Sequence, residues 1–316
     1  MAEPAAAKGG LFPRRRAESS DRRFAFWLVV PSIIAIGGLL GYPMVYAAWL
    51  AMHDIQLTRP LDQPFVGLAN FVEMFQDTDF LAAAGRTLYF ALITVGLGVL
   101  MALGLALLLA KDFRGRTLAR TLLLVPWAVP PVVNGIMWRW IYDANWGVLN
   151  WILLELGVIS KKQFWLGTPE MALNAIAFAE LWKLLPFITL ILLASLQTIP
   201  RNLYRAARID GAGSWQSFLH ITLPSLRNTL VLVLILQTMW SIKVFDVIYV
   251  LTQGGPADGT TTLFYFGYLE TFKFLNVGYG SAIAFTIMLL VLMLTLGYVT
   301  LLRTRRPSKS AGEAKT

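Results

Sequence analysis

The sequence predicts an all-α polytopic membrane protein with six transmembrane helices. Three observations carry that prediction. Hydrophobic residues fill 57% of the 316 positions and charged residues only 14%, against roughly 25% charged in an average soluble domain. The apolar residues gather in six runs, each close to the roughly 20 residues a bilayer-crossing helix needs. The 27 Lys and Arg, set against 18 Asp and Glu, sit in short clusters between those runs. That is the pattern of loops beside a membrane rather than of a nucleic-acid surface. So much apolar side chain also excludes a disordered chain. The lack of Cys excludes a disulfide scaffold and a thiolate metal site.

The expected spans are Phe24–Leu50, Thr87–Ala110, Leu122–Ile141, Met171–Gln197, Thr229–Leu251 and Tyr279–Leu302. They form one permease-sized domain over 24–302, with tails at 1–23 and 303–316 that read as solvated and partly disordered. The first run is too long for a cleavable leader. Pro31, Gly37, Gly38, Gly41 and Pro43 interrupt it, and no small-residue cleavage site stands out. Between the first two spans, apolar residues at Leu68, Phe71, Val72 and Phe75 fit one face of a short helix along the outer surface.

Six spans put both termini on one side. Nineteen Lys and Arg fall in the tails and the loops 111–120 and 198–228, against five in the other three loops. Such a bias places both termini in the cytoplasm. Arg139, Lys183 and Lys243 lie in or at the ends of spans. Each has a carboxylate three or four residues on or back (Asp143, Glu180 and Asp246), and each pair is expected to neutralise itself along its own helix. The alternative is that the charges line a water-filled route.

The loop 198–228 is the most informative stretch. Leu203, Ala206, Ala207 and Asp210 follow i, i+3, i+4, i+7 and define one face of a short helix. Gly211 suits its C-cap, Ser214 suits the cap of a second short helix, and Pro224 suits the first turn of the next span. The expected product is a helix–turn–helix elbow.

Ala206-Ala207, three residues, Gly211, nine residues and Ile221-Thr222-Leu223-Pro224 resemble the coupling loop of binding-protein-dependent ABC importer permeases. Arg205 stands where that family usually has Glu. Gly67-Leu68-Ala69-Asn70-Phe71, Pro126-Trp127-Ala128-Val129-Pro130, Trp182-Lys183 with Pro186-Phe187, Val244-Phe245-Asp246 and Leu251-Thr252-Gln253-Gly254-Gly255-Pro256 are similar, in order, to its carbohydrate branch. The resemblance implies a type I importer permease fold in a bacterial inner membrane. It further implies a second permease subunit, two ABC ATPase subunits, an extracytoplasmic sugar-binding protein and a lipid surround. Arg205, Ala206, Ala207, Asp210, Gly211, Ala212, Ile221, Leu223 and Pro224 would then couple to the ATPase.

No GxxxxGK[ST] phosphate loop occurs, so ATP hydrolysis is expected on a partner and no cofactor is called for. His53 and His220 fall on opposite sides of the membrane, which precludes a joint zinc or catalytic site. Gln237, Trp240, Ser241 and Val244 form one helical stripe, and the resemblance implies that it touches sugar, with Trp182, Lys183 and Phe187. Asn134, 12 residues into its span and so roughly 18 Å deep, is added on depth. The rival functions are an ion-gradient-driven sugar carrier using Glu180 or Asp246 as its proton site, and a structural membrane protein. The carrier has no reason to keep the elbow, and the polar-aromatic stripe near the midplane argues against the structural protein.

Overall fold

The structure, a computed structural model, describes residues 17–303. The parts of the expected tails at 1–16 and 304–316 lie outside the described residues. Two units are present, one ending at Trp49 and one beginning at Leu50.

The first unit is helix α1 (Ala17–Ile36), a π-helical turn (Gly37–Gly41) and the start of α2 (Tyr42–Ala51). The helix therefore starts at Ala17, and the part of the tail expected at 17–23 is helical. Hydropathy marks where a helix enters lipid, not where its hydrogen bonds begin. The π-turn has a local cause. Pro43 has no N–H to give, and its ring crowds the carbonyl four residues back. The Tyr42 amide reaches Gly37 O instead, which widens the turn.

The second unit holds α3 (Ala69–Gln76), the short helix expected between the first two spans, and α4 (Thr78–Ala110). The latter starts nine residues before the span expected from Thr87. Asp77 caps it by accepting from the Asp79 amide at 2.8 Å. Its 33 residues run roughly 50 Å, beyond the roughly 30 Å hydrocarbon layer, so hydropathy saw only part of it. The buried face of α4 carries Ala83, Thr87, Thr94, Gly98, Ala102 and Ala106, a small-residue stripe that lets helices approach closely. A Cβ on Gly98 would lie 2.9 Å from Gln237 Nε2 and 3.0 Å from Leu181 Cδ2.

The third span corrects the expectation of one helix over Leu122–Ile141. It is α5 (Arg116–Leu123), α6 (Val125–Ala128) and α7 (Pro131–Ile141), bent by 97° between its halves. Pro130 and Pro131 donate no hydrogen bond, and a proline drives the residue before it out of helical conformation. Val129 and Pro130 are extended accordingly, with ψ of 126° and 146°. Beyond α8 (Val148–Glu155), which sequence reading left as loop, α9 (Pro169–Gln197) matches the fourth span within two residues. It packs against α4, α6, α7 and α12.

The elbow is α10 (Arg201–Ile209), α11 (Ser214–Ser217) and a π-turn (Phe218–Thr222) that runs into α12 (Leu223–Ile242). Ser214 is the first helical residue rather than the cap. Gly213 holds the cap position, and its amide is met by Gln216 Oε1 at 2.9 Å. The π-turn repeats the arrangement at Pro43: the Leu223 amide bonds Phe218 O just before Pro224.

The fifth span breaks at Lys243–Phe245 and resumes as α13 (Asp246–Leu251). After a loop in which Thr260, Thr261 and Thr262 are buried come α14 (Leu263–Tyr268), a π-turn (Leu269–Lys273) and α15 (Val277–Arg303). Arg86 donates to Thr261 O at 3.1 Å and the Leu263 amide to Thr87 Oγ1 at 2.8 Å, pinning that loop to α4. Sequence reading missed α14, because a run of aromatics shows no helical period.

Candidate functional site

The bend in the third span and the break in the fifth face each other across α9. Between them lies a cavity of about 540 Å³, within the roughly 300–1,000 Å³ usual for small-molecule sites. Its charged groups are Glu180 and Lys183 on α9, Lys243 at the break and Asp246 at the start of α13. Its rings are Trp127, Trp240, Phe245 and Phe264. Trp127 lies in the short helix before the prolines, Trp240 in the last turn of α12, Phe245 in the break that follows it, and Phe264 in α14.

The rings brace one another. Phe187 stacks on Trp127 at 5.2 Å and meets Trp240 edge-on at 5.7 Å. Phe245 meets Phe264 edge-on at 6.0 Å. Such contacts hold ring faces at fixed angles.

The self-neutralised pairs expected along each helix are not formed. Among the described residues, neither Glu180 with Lys183, nor Lys243 with Asp246, nor Arg139 with Asp143 is within ion-pair distance. For the fifth span the cause is the break, which removes the helical geometry from i to i+3. Asp143 instead accepts from the Asn145 and Trp146 amides at 2.8 Å each. Those bonds hold its carboxyl below the usual carboxylate range. The four cavity charges thus keep hydrogen-bonding capacity for a guest.

The expected substrate stripe divides in two. Trp240 and Val244 line the cavity, as does Lys183. Gln237 and Ser241 face α4: Gln237 Nε2 donates to Thr94 O at 3.2 Å, and the Ser241 and Thr94 hydroxyls are 2.7 Å apart. Both side chains are 1% exposed. Asn134 is wholly buried and donates to Ala179 O at 3.5 Å. Trp182 packs edge-on against Trp138 at 5.7 Å, away from the cavity lining. Phe187 stands behind Trp127 and Trp240 as a support. Sequence reading missed Trp127, Pro131, Phe245 and Phe264 as lining. The signal available was the Pro126–Pro131 cluster, which marks where a span must open.

A second feature lies at the elbow. Gly211 has φ of +82°, a conformation that L side chains rarely adopt. The Ala212 amide bonds Ala207 O at 2.8 Å and the Gly211 amide bonds Arg208 O at 3.2 Å, the paired bonds of a Schellman turn. The turn leaves a hollow of about 360 Å³ lined by Ala207, Asp210, Gly211, Ala212, His220 and Ile221, among others. Ile209 is 86% and Trp215 69% exposed at its rim, and exposed apolar residues gathered beside a hollow mark a docking surface. Arg205 and Ala206 are exposed outside it. Leu223 and Pro224 open α12.

Residues 94–307 match the family described as binding-protein-dependent transport system inner membrane component. The chain is 38% identical over 289 residues to the trehalose/maltose transport system permease protein MalF of Thermococcus litoralis, covering 90% of this chain and 96% of that one. It is 37% identical to the sulfoquinovosyl glycerol transport system permease protein SmoG of Agrobacterium fabrum, covering 92% and 94%. It is 32% identical to the trehalose transport system permease protein SugA of Mycobacterium tuberculosis, covering 94% of each. Among solved structures, a chain of a bacterial ABC transporter that imports alginate superposes with a TM-score of 0.76 over 92% of this chain and 99% of that one, at 23% identity. This last likeness is one of fold.

Proposed function

The chain belongs to the family of binding-protein-dependent transport system inner membrane components, and from that premise we propose that it is the permease subunit of an ATP-driven importer of a sugar or sugar derivative. The charged, ring-lined cavity carries the proposal. Trp127, Trp240, Phe245 and Phe264 offer faces for the apolar sides of sugar rings. Glu180, Lys183, Lys243 and Asp246 offer acceptors and donors for hydroxyls without first breaking an ion pair. The named substrates of the relatives, trehalose, maltose and sulfoquinovosyl glycerol, are of the class such a lining suits.

Family transport proteins of this kind are not enzymes. Hydrolysis is assigned to two ABC ATPase subunits that grip the elbow at Ala207–Ala212 and Ile221. Their closure moves the elbow as a rigid body, and α12, continuous with it through the π-turn, carries the motion to the break at Lys243. A second permease completes the pore, and an extracytoplasmic binding protein delivers the sugar. Both termini and the elbow lie on the cytoplasmic side, as the distribution of Lys and Arg favours. The elbow favours this reading over an ion-driven carrier.

The test is co-purification with the ATPase subunits, followed by ATP hydrolysis in vesicles with sugar-loaded binding protein. Hydrolysis stimulated by loaded but not empty binding protein is the expected result. Sugar uptake driven by an ion gradient without ATP would overturn the reading.

A further inference from the structure

A second polar cavity, of about 480 Å³, lies where α4 and α9 end and α5 and α10 begin. Arg116, Arg120 and Arg201 line it, with the Tyr204 hydroxyl. Arg116 and Arg201 are the first residues of α5 and α10. A helix N-terminus carries partial positive charge from its unpaired amides, so a cation there opposes the helix dipole, whereas an anion is favoured. Two such ends and three guanidinium groups share one cavity.

The chain supplies little to balance them. Asp112 pairs with Arg116 and lies 3.8 Å from Arg201, so one carboxylate serves two cations. Arg120 donates to Leu109 O at 2.6 Å, while its Nε–H is buried with no acceptor among the described residues. Leu107, Ala110, Leu196 and Ile199 give it an apolar side, interrupted by Gln197, that continues the ends of two spans. The cavity thus has a cationic floor and an apolar side at the edge of the hydrocarbon layer.

We propose that this cavity binds the phosphate of an anionic phospholipid headgroup and so ties the coupling elbow to the lipid around it. Guanidinium groups suit phosphate oxygens through paired, charge-assisted bonds, and the apolar wall suits the glycerol end of a lipid. Tyr204 Oη and Thr222 Oγ1, both lining the cavity, are 2.9 Å apart and join α10 to the π-turn before α12. A bound headgroup therefore braces both arms of the elbow against α5. The inference rests on the importer reading only for its effect on hydrolysis, not for binding itself.

Binding is read on the purified chain in neutral detergent by native mass spectrometry, with phosphatidylglycerol and phosphatidylcholine offered together. Selective retention of phosphatidylglycerol is expected, falling about tenfold in Arg116→Gln and in Arg201→Gln through loss of a charge-assisted bond. Arg114→Gln removes a charge from the same loop at an exposed position outside the lining and should leave retention unchanged. Inorganic phosphate is offered separately. Competition by phosphate at millimolar concentration would identify a free anion as the occupant of the same site. In vesicles, phosphatidylglycerol should raise sugar-stimulated hydrolysis of the wild-type complex but not of either variant. Equal retention of both lipids, or equal losses in all three variants, would overturn the proposal. Failure of the ATPase to associate would count against the importer reading alone, since retention is measured without it.

Discussion

Gln237 and Ser241 occupy one face of α12, Trp240 the next, and Val244 follows in the break after the helix. The first pair is sealed against α4 through Thr94; the second opens on the central cavity. All four lie at similar depth. Helical spacing and the family resemblance assigned Gln237 and Ser241 to substrate, and the fold gives them to the seam between helices. Of the polar groups that do reach the cavity, Lys243 and Asp246 sit where the fifth span breaks, and Glu180 and Lys183 reach it from the unbroken α9. In a membrane, backbone irregularity is tolerated where protein buries it or where it lines a polar space. A broken span thus locates the cavity, and the side of an intact span that faces the break contributes its polar residues to it.

The largest effect is expected on the seam. Gly98→Leu would force the new side chain onto Gln237 and Leu181, with a cost of about 1–3 kcal/mol or more for overpacking. Thermal unfolding followed by fluorescence-detected gel filtration should show loss of the folded monomer. A normal melting curve would mean that the seam is looser than its distances indicate. Trp240→Ala should act in the opposite way. Sugar-stimulated hydrolysis is expected to fall about tenfold, equivalent to about 1.4 kcal/mol, with the complex still assembled. Unaltered stimulation would remove Trp240 from the site.

Two smaller effects sharpen the contrast. If Glu180 and Lys183 act separately on a guest, Glu180→Gln and Lys183→Met should add to within about 0.5 kcal/mol in the apparent sugar affinity of the double variant. A larger coupling would show that they pair after all. Ser241→Ala should cost about 0.6 kcal/mol of stability, the average for a hydrogen bond between membrane helices, and leave the sugar dependence of hydrolysis unchanged. A raised half-saturation concentration would return Ser241 to the substrate side.

Much of the molecule was legible in its residues. The fourth and sixth spans match within two residues because nothing interrupts their helices beyond one tolerated proline, Pro186. Gly211 ended the elbow helix as expected, since its positive φ is a local property. Ala207, Asp210, Gly211, Ala212 and Ile221, five of the residues expected to couple to a partner, line one hollow. The third span was misread because hydropathy averages over Pro130 and Pro131 while the backbone cannot. The fifth span broke at Lys243 with neither Gly nor Pro to announce it. There the Val244 carbonyl is met by the Thr262 hydroxyl at 3.4 Å, a partner 18 residues away that no local pattern encodes.

Hydropathy, residue spacing and local motifs determined that the chain crosses a membrane about six times, that it carries an elbow between its fourth and fifth spans, and that it holds no phosphate loop for ATP. These follow from transfer energies and backbone preferences, which act residue by residue. Tertiary structure decided which face of each span meets a neighbour and which meets the cavity. It also decided that the charges in the spans do not form ion pairs along their own helices, and that Arg201, far along the chain from Arg116 and Arg120, shares one cavity with them. Those outcomes depend on how helices rotate and bend to pack small residues against one another. That rotation is set by all the contacts together, so no single segment contains it.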